Sequence, residues 1–346
     1  MRVRTSLALA ALAVTLLAPA GVSARGSDAA AAAKAEQNRI IAYWTPARIA
    51  AAKFKDYVLD ANTGRIVPFA RPGGGTSGTG ASWPGTAALD PVELRVGRIL
   101  FSSGGSDWIC SGTVVNDTDA NYSVILTAGH CVFDGSDGWS YNFLFMPDFD
   151  DNPDYNCVAR DMGCWTANRL SANTDFVPGG FSDDASLRVD YGFARVGTGN
   201  KLGQLDAQPG VAGGYALNTS VGAAGPTAWA FGYPAEGKYK GKDLIYCTGG
   251  TVEDPYDVGT WGLACKMNGG SSGGGWLFGT TDPSNGSGSL GSVNSYGYSG
   301  LSYMFGPIFN AETADARTAV LNGSAPNSVV CTTGTTQQSV ASCPGQ

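Results

Sequence analysis

The sequence predicts an all-β protein, a sandwich or barrel, on three observations. From about residue 91 onward, short apolar runs alternate with clusters of Gly, Asn, Asp and Ser, the pattern of strands joined by turns. Gly accounts for 50 of the 346 residues, about twice the usual share of roughly 7%. Only one stretch beyond residue 91 reads as a helix. With 43% hydrophobic residues and 10% aromatics, the chain still has enough apolar surface for a core.

The strands follow in order. Runs at 96–101, 108–115, 123–127 and 141–145 are rich in Val, Ile, Leu and aromatics and are bounded by turn residues. Further runs lie at 187–196, 227–231 and 290–298. The helix is predicted over 311–321, where Ala, Glu and Arg favour it; Asn310 can cap its start and Asn322-Gly323 stops it. No repeat of fixed period is present.

The residues ahead of this region divide differently. Arg2 and Arg4 precede an apolar run from Leu7 to Leu17, and Val22-Ser23-Ala24 offers a small-x-small cleavage site. Residues 1–24 are therefore expected to be a secretory signal, too short to span a membrane. Residues 25–90 are read as a pro-segment. It holds a Thr45-Pro46 helix start and a Gly-rich linker from Arg71 to Gly80. Residues 91–346 form the remaining domain.

The 8 cysteines agree with export: Cys110, Cys131, Cys157, Cys164, Cys247, Cys265, Cys331 and Cys343. The number is even and no CxxC occurs, which favours disulfides. Eight cysteines allow on the order of a hundred pairings; sequential pairing is the simplest. The net charge of −7 argues against nucleic acid as a partner. The single His excludes a multi-His zinc site, and no cofactor is expected. Clustered acids from Asp148 to Asp154 could attract Ca²⁺, but a solvated acidic loop is the preferred reading.

Three local sequences carry chemistry. Leu126-Thr127-Ala128-Gly129-His130-Cys131 places the only His after a β-like run and beside a Cys. A bridge from Cys131 to Cys110 would fix the imidazole, as a general base needs. Asn268-Gly269-Gly270-Ser271-Ser272-Gly273-Gly274 surrounds Ser272 with glycines, whose backbone can turn sharply and aim amides at one point. Such a loop can offer nucleophile and oxyanion donors together. Val189-Asp190-Tyr191-Gly192-Phe193 starts an apolar run with an acid, and a buried carboxylate needs partners.

Taken together, these motifs resemble the trypsin-like serine peptidases. Thr-Ala-Gly-His-Cys matches their His motif and Gly270-Ser271-Ser272-Gly273-Gly274 resembles their Gly-Asp-Ser-Gly-Gly. The order His130, Asp190, Ser272 is the chymotrypsin order. The resemblance covers about residues 96–321 and is nearer to bacterial glutamyl-endopeptidase-like members than to trypsin itself; Gly232-Tyr233-Pro234 is one shared feature. It implies two six-stranded antiparallel β-barrels with the site between them and a C-terminal helix. It also implies a Ser272 nucleophile, a His130 base and Asp190 orienting it, with the amides of Gly270 and Ser272 as the oxyanion hole. Ser295-Tyr296-Gly297 is similar to the strand that lines the specificity pocket and pairs with substrate backbone.

The departures are informative. Ser271 stands where trypsins have Asp, so activation through an ion pair to a new amino terminus is not expected, even though Arg98-Ile99 could imitate a trypsin-like start. Lys266 stands where trypsins carry the pocket acid, which disfavours cleavage after Arg or Lys. The sequence separation of 60 from His130 to Asp190 suggests an inserted loop closed by Cys157 and Cys164. The tail from Asn327 to Gln346, closed by Cys331 and Cys343, reads as a stapled surface extension. The expected protein is a secreted, monomeric serine endopeptidase acting on polypeptides. The alternative is a catalytically inactive homologue acting as a secreted binding protein.

Overall fold

Six strands close on themselves in the first half of the domain. The computed structural model describes residues 21–55, 57–67, 79–85, 89–149, 157, 161–197, 203–235, 237–267, 269–332 and 342–344. The expected signal residues 1–20, the linker up to Gly78 and the acidic stretch from Asp150 to Asp154 lie outside them. Residues 37–346 form one compact unit. No described helix is long and apolar enough to cross a membrane.

The closed barrel comprises β1 (Val96–Ser103), β2 (Ser106–Val115), β3 (Ser123–Thr127), β4 (Tyr141–Pro147), β5 (Trp165–Asn173) and β6 (Gly192–Val196). Hydrogen bonding runs β2-β1-β4-β5-β6-β3 and returns to β2, antiparallel throughout. Every residue of β1, β3 and β4 is buried. That explains why they read as continuous apolar runs: both faces are covered.

Six more strands make the second half: β7 (Thr227–Gly232), β8 (Ile245–Gly250), β9 (Trp261–Leu263), β10 (Gly275–Phe278), β11 (Ser289–Val293) and β12 (Met304–Gly306). The ladder runs β8-β7-β10-β11. It continues through the Tyr296–Phe305 bridge to β12 and β9. Its two ends are joined covalently, because Cys247 on β8 is bonded to Cys265 just beyond β9. The other disulfides are Cys110–Cys131, Cys157–Cys164 and Cys331–Cys343.

The C-terminal helix is Ala311–Asn322. Asn310 accepts from the amides of Glu312 and Thr313, and Gly323 ends it at φ 93°. Its Ala316, Ala319 and Val320 are buried, and Ser171 Oγ on β5 donates to Ala316 O at 2.7 Å. Beyond it, Ser328–Cys331 adds an antiparallel strand to β5, and Trp139 Nε1 donates to Pro344 O. Ser328–Cys331 is thus part of the first barrel's wall.

Two predicted strands are corrected. The run at 187–196 is not one strand. Asp183 accepts from the Ser186 amide while Ser186 Oγ accepts from the Asp183 amide, and this reciprocal cap starts a short helix, Asp184–Arg188. Local side-chain bonds to the backbone outcompete β-propensity there, and β6 begins only at Gly192. The run at 290–298 is interrupted after Val293. Asn294 turns inward and bonds two backbone carbonyls, and a short strand resumes at Gly297–Tyr298.

Described residues between 44 and 83 are packed onto the barrels. Thr45 caps the helix Pro46–Ala51. Trp44 and Ile49 are buried, each worth about 1.5–3 kcal/mol of apolar burial. Trp44 Nε1 donates to Asn142 O at 2.7 Å. Ala81–Ser82 extends β8, and the Trp83 ring meets Trp229, Phe231 and Tyr246 edge-on.

Candidate active site

The turn after β3 carries His130, and the turn before β6 carries Asp190. β3 and β6 are paired, Gly192 opposite Thr127, so the two turns are neighbours. Asp190 Oδ2 lies 2.8 Å from His130 Nδ1, and Asp190 Oδ1 accepts from the His130 backbone amide at 2.8 Å. Ser295 Oγ also donates to Asp190 Oδ2. Both side chains are fully buried. A carboxylate only accepts, so the ring nitrogen facing it carries the hydrogen and Nε2 is left as an acceptor. The site needs Gly129 as well, since a Cβ there would come within 3.0 Å of Asp190 Oδ1.

The Ser272 loop is fastened from both barrels. Ser111 of β2 donates its amide to Ser272 O and its hydroxyl to Gly270 O, each at 2.8 Å. Asn294 Nδ2 donates to Ser271 O at 3.0 Å and to Phe231 O at 2.7 Å, and its Oδ1 accepts from Trp276 Nε1. Gly270 sits at φ 99° and Gly273 at φ 85°, which only Gly adopts freely. A Cβ on Gly273 would collide with Thr127 Oγ1 and Ser111 O. The loop therefore abuts the end of β3, next to the His130 turn, and Cys131 Sγ lies 3.9 Å from Ser272 O.

Ser295 and Tyr296 donate their amides to Phe305 O, and Gly297 begins the short strand Gly297–Tyr298. Tyr296 is buried, and its hydroxyl bonds Asp254 Oδ2 at 2.8 Å and Thr260 Oγ1 at 2.6 Å. Burial and the adjacent Asp254 push the Tyr296 phenol far up, so it stays a neutral donor. Lys266 is half-buried, and its backbone pairs with Thr79 in both directions. Ser271 Oγ donates to Met267 O. Arg98 and Ile99 lie buried within β1, so no accessible cleavage point exists there. The sulfurs of Cys110 and Cys131 lie beside His130, but they are bonded to each other and offer no thiolates to a metal.

Sequence reasoning missed several groups. Ser111 and Asn294 hold the Ser272 loop, and their signal was a polar residue inside an apolar run. Lys55, Tyr57, Asp134 and Phe181 surround the site and gave no local signal. Tyr57 lies edge-on to His130, ring centres 5.0 Å apart, and stacks on Phe181 at 4.2 Å.

Comparison with known proteins fits this geometry. A family profile described as the lysyl endopeptidase C-terminal domain matches residues 84–176. No curated protein matches the chain. Among solved structures, the protease Anisep from Arthrobacter nicotinovorans is 34% identical, with 68% of this chain and 97% of that one covered and a TM-score of 0.54. The thermostable serine protease AL20 from an extremophilic microorganism is 28% identical, covering 67% and 99%, with a TM-score of 0.56. About a third of this chain has no counterpart in either.

Proposed function

The chain belongs to the chymotrypsin-fold serine protease family, and from that premise we propose that it is a secreted serine endopeptidase made as a precursor. The observation that carries this reading is the double hold of Asp190 on His130, by side chain and backbone. An inactive scaffold has no need of a buried carboxylate aimed at a buried imidazole, because burying charge is costly without a partner.

In this reading Ser272 Oγ attacks a peptide carbonyl carbon and its proton passes to His130 Nε2. The developing oxyanion lies on the amides of Gly270 and Ser272. Asp190 stabilises the imidazolium, which then protonates the leaving amine. Water, deprotonated by the same imidazole, hydrolyses the acyl-enzyme. Export through residues 1–24 and removal of residues 25–90 complete the precursor reading. The four disulfides suit an oxidising compartment. The family profile is named for lysine cleavage, but the buried Asp254 near the pocket strand is already engaged by Tyr296, Tyr298 and Thr260. Specificity for lysine is therefore not assigned.

One observation favours the rival reading of an inactive binding protein: Ser272 Oγ donates to Lys55 O, 3.4 Å away, instead of to His130. Labelling with a phosphonofluoridate separates the two. The proteolytically processed protein should be modified at Ser272, and Ser272→Ala and His130→Ala should abolish labelling. Processed protein that stays unlabelled overturns the endopeptidase reading.

A further inference from the structure

The group facing Ser272 belongs to the chain itself. Lys53–Phe54 pairs parallel with β2, Lys53 opposite Trp108 and Phe54 opposite Ile109. Val58–Leu59 pairs parallel with the pocket strand, Val58 opposite Gly297 and Leu59 opposite Tyr298. Gly297 N donates to Tyr57 O and Ser299 N to Leu59 O. Lys53–Lys55 thus runs along one wall of the cleft and Tyr57–Leu59 along the other in the same direction, with the Lys55 carbonyl at Ser272 Oγ.

The side chains of Phe54, Lys55 and Tyr57 are seated. Lys55 is 4% exposed, its Nζ lies 2.8 Å from Asp134 Oδ2, and it rests over the Trp108 ring at 5.6 Å. Tyr57 Oη donates to the same Asp134 oxygen at 3.0 Å. A Cβ on Gly269 would collide with the Phe54 ring, so that ring lies directly on the loop before Ser272.

We propose that the catalytic cleft is a binding site for the chain's own segment 53–59, taken parallel to both walls, with Asp134 as receptor for the Lys55 ammonium, so that the uncut chain is self-inhibited. The proposal rests on the reading of Ser272 as nucleophile. Attack needs a carbonyl carbon facing Oγ, its oxygen on the Gly270 and Ser272 amides, and a leaving nitrogen within reach of His130 Nε2. The Lys55 carbonyl instead turns its oxygen to Ser272 Oγ and accepts the hydroxyl's hydrogen. His130 Nε2 has no hydrogen-bond partner among the described residues. Segment 53–59 is bound but not poised for cleavage.

Parallel pairing is slightly weaker per residue than antiparallel. Attachment to the barrels compensates, because a tethered segment meets its site at an effective concentration of about millimolar. A cut between Leu59 and Val96 removes that advantage and lets a polypeptide of opposite sense compete for the same edges.

The test uses the full chain carrying a foreign-protease site in the Gly-rich residues 73–80, labelled with a phosphonofluoridate before and after cutting. The intact chain should label on the order of a hundredfold more slowly than the cut and separated product. Lys55→Glu in the intact chain should recover at least about tenfold of that rate, by placing like charges together. A synthetic peptide covering residues 37–60 should inhibit the cut enzyme competitively and stay whole by mass spectrometry. The same peptide with K55E should inhibit about tenfold more weakly, a comparison independent of folding. Equal labelling of intact and cut chains, or hydrolysis of the peptide after Lys55, overturns the proposal. Absence of labelling in both forms overturns the nucleophile reading instead.

Discussion

Asp190 holds His130 at two points, one oxygen on Nδ1 and the other on the backbone amide, both at 2.8 Å. The second contact ties the acid to the main chain of the turn, so the imidazole and its support move as one piece. Ser295, from the other half of the molecule, locks the same carboxylate.

Asp190→Asn should therefore preserve the fold but present an NH₂ group or a weaker acceptor to Nδ1, favouring the wrong tautomer. The expected loss in kcat is on the order of 10⁴-fold, with KM little changed. Steady-state kinetics on the cut enzyme check it; a loss below about tenfold would show that His130 needs no such support.

The Cys110–Cys131 bridge joins β2 to the His130 turn across 21 residues. Replacing both cysteines with Ala should cost about 3 kcal/mol by loop-closure arguments. That corresponds to a fall in Tm of roughly 6–12 °C for a domain of this size. Because Ser111, next to Cys110, also holds the Ser272 loop, labelling of the double variant should slow even well below its Tm. Thermal melts and labelling rates separate the two effects.

Asp254 gathers three hydroxyls, those of Tyr296, Tyr298 and Thr260, at a buried position. Asp254→Ala removes their common acceptor while Tyr296 and Thr260 keep their bond to each other, at about 1–3 kcal/mol for each donor left unpaired. Tyr296 directly precedes the strand Gly297–Tyr298, with which Val58–Leu59 pairs, so KM for peptides should rise more than kcat falls. Equal stability and unchanged KM would show that the hydroxyls find other partners.

How far the sequence carried the reading depended on range. His130, Asp190 and Ser272 each sit in a short motif whose residue types are dictated locally, by a turn, a capped helix and a glycine loop. They were legible at once, as were the apolar runs buried on both faces. The break at 184–191 was missed because side chains bonding to nearby backbone override apolar content; the break at Asn294 was missed because the carbonyls it bonds, those of Phe231 and Ser271, are distant in sequence. The occupancy of the cleft was invisible for another reason. Lys55 and Asp134 are 79 residues apart, and Lys55 and Ser272 are 217 apart. Only the closed barrels bring them together; alone, Lys55 is an ordinary charged residue beside a weak strand.

The Lys55–Asp134 contact also sets how self-inhibition responds to acid. Burial pushes the Asp134 carboxyl up, but the Lys55 ammonium and the bonds from Ser136 outweigh it and hold the group well below the usual carboxylate range. A depressed value in the closed state means that the contact's contribution is fully present above the free carboxylate range near 4. It is lost only as pH falls through the lowered value. The groups facing Asp134 are Lys55 and Tyr57, and Asp137 and Asp190 act on Tyr57 in turn. Burial and Asp134 push the Tyr57 phenol up, so it stays protonated throughout. The ratio of labelling rates between cut and intact chains should therefore stay flat from about pH 5 to 8 and shrink only below about pH 4. A ratio that collapses near pH 6 would assign the release to a group other than Asp134.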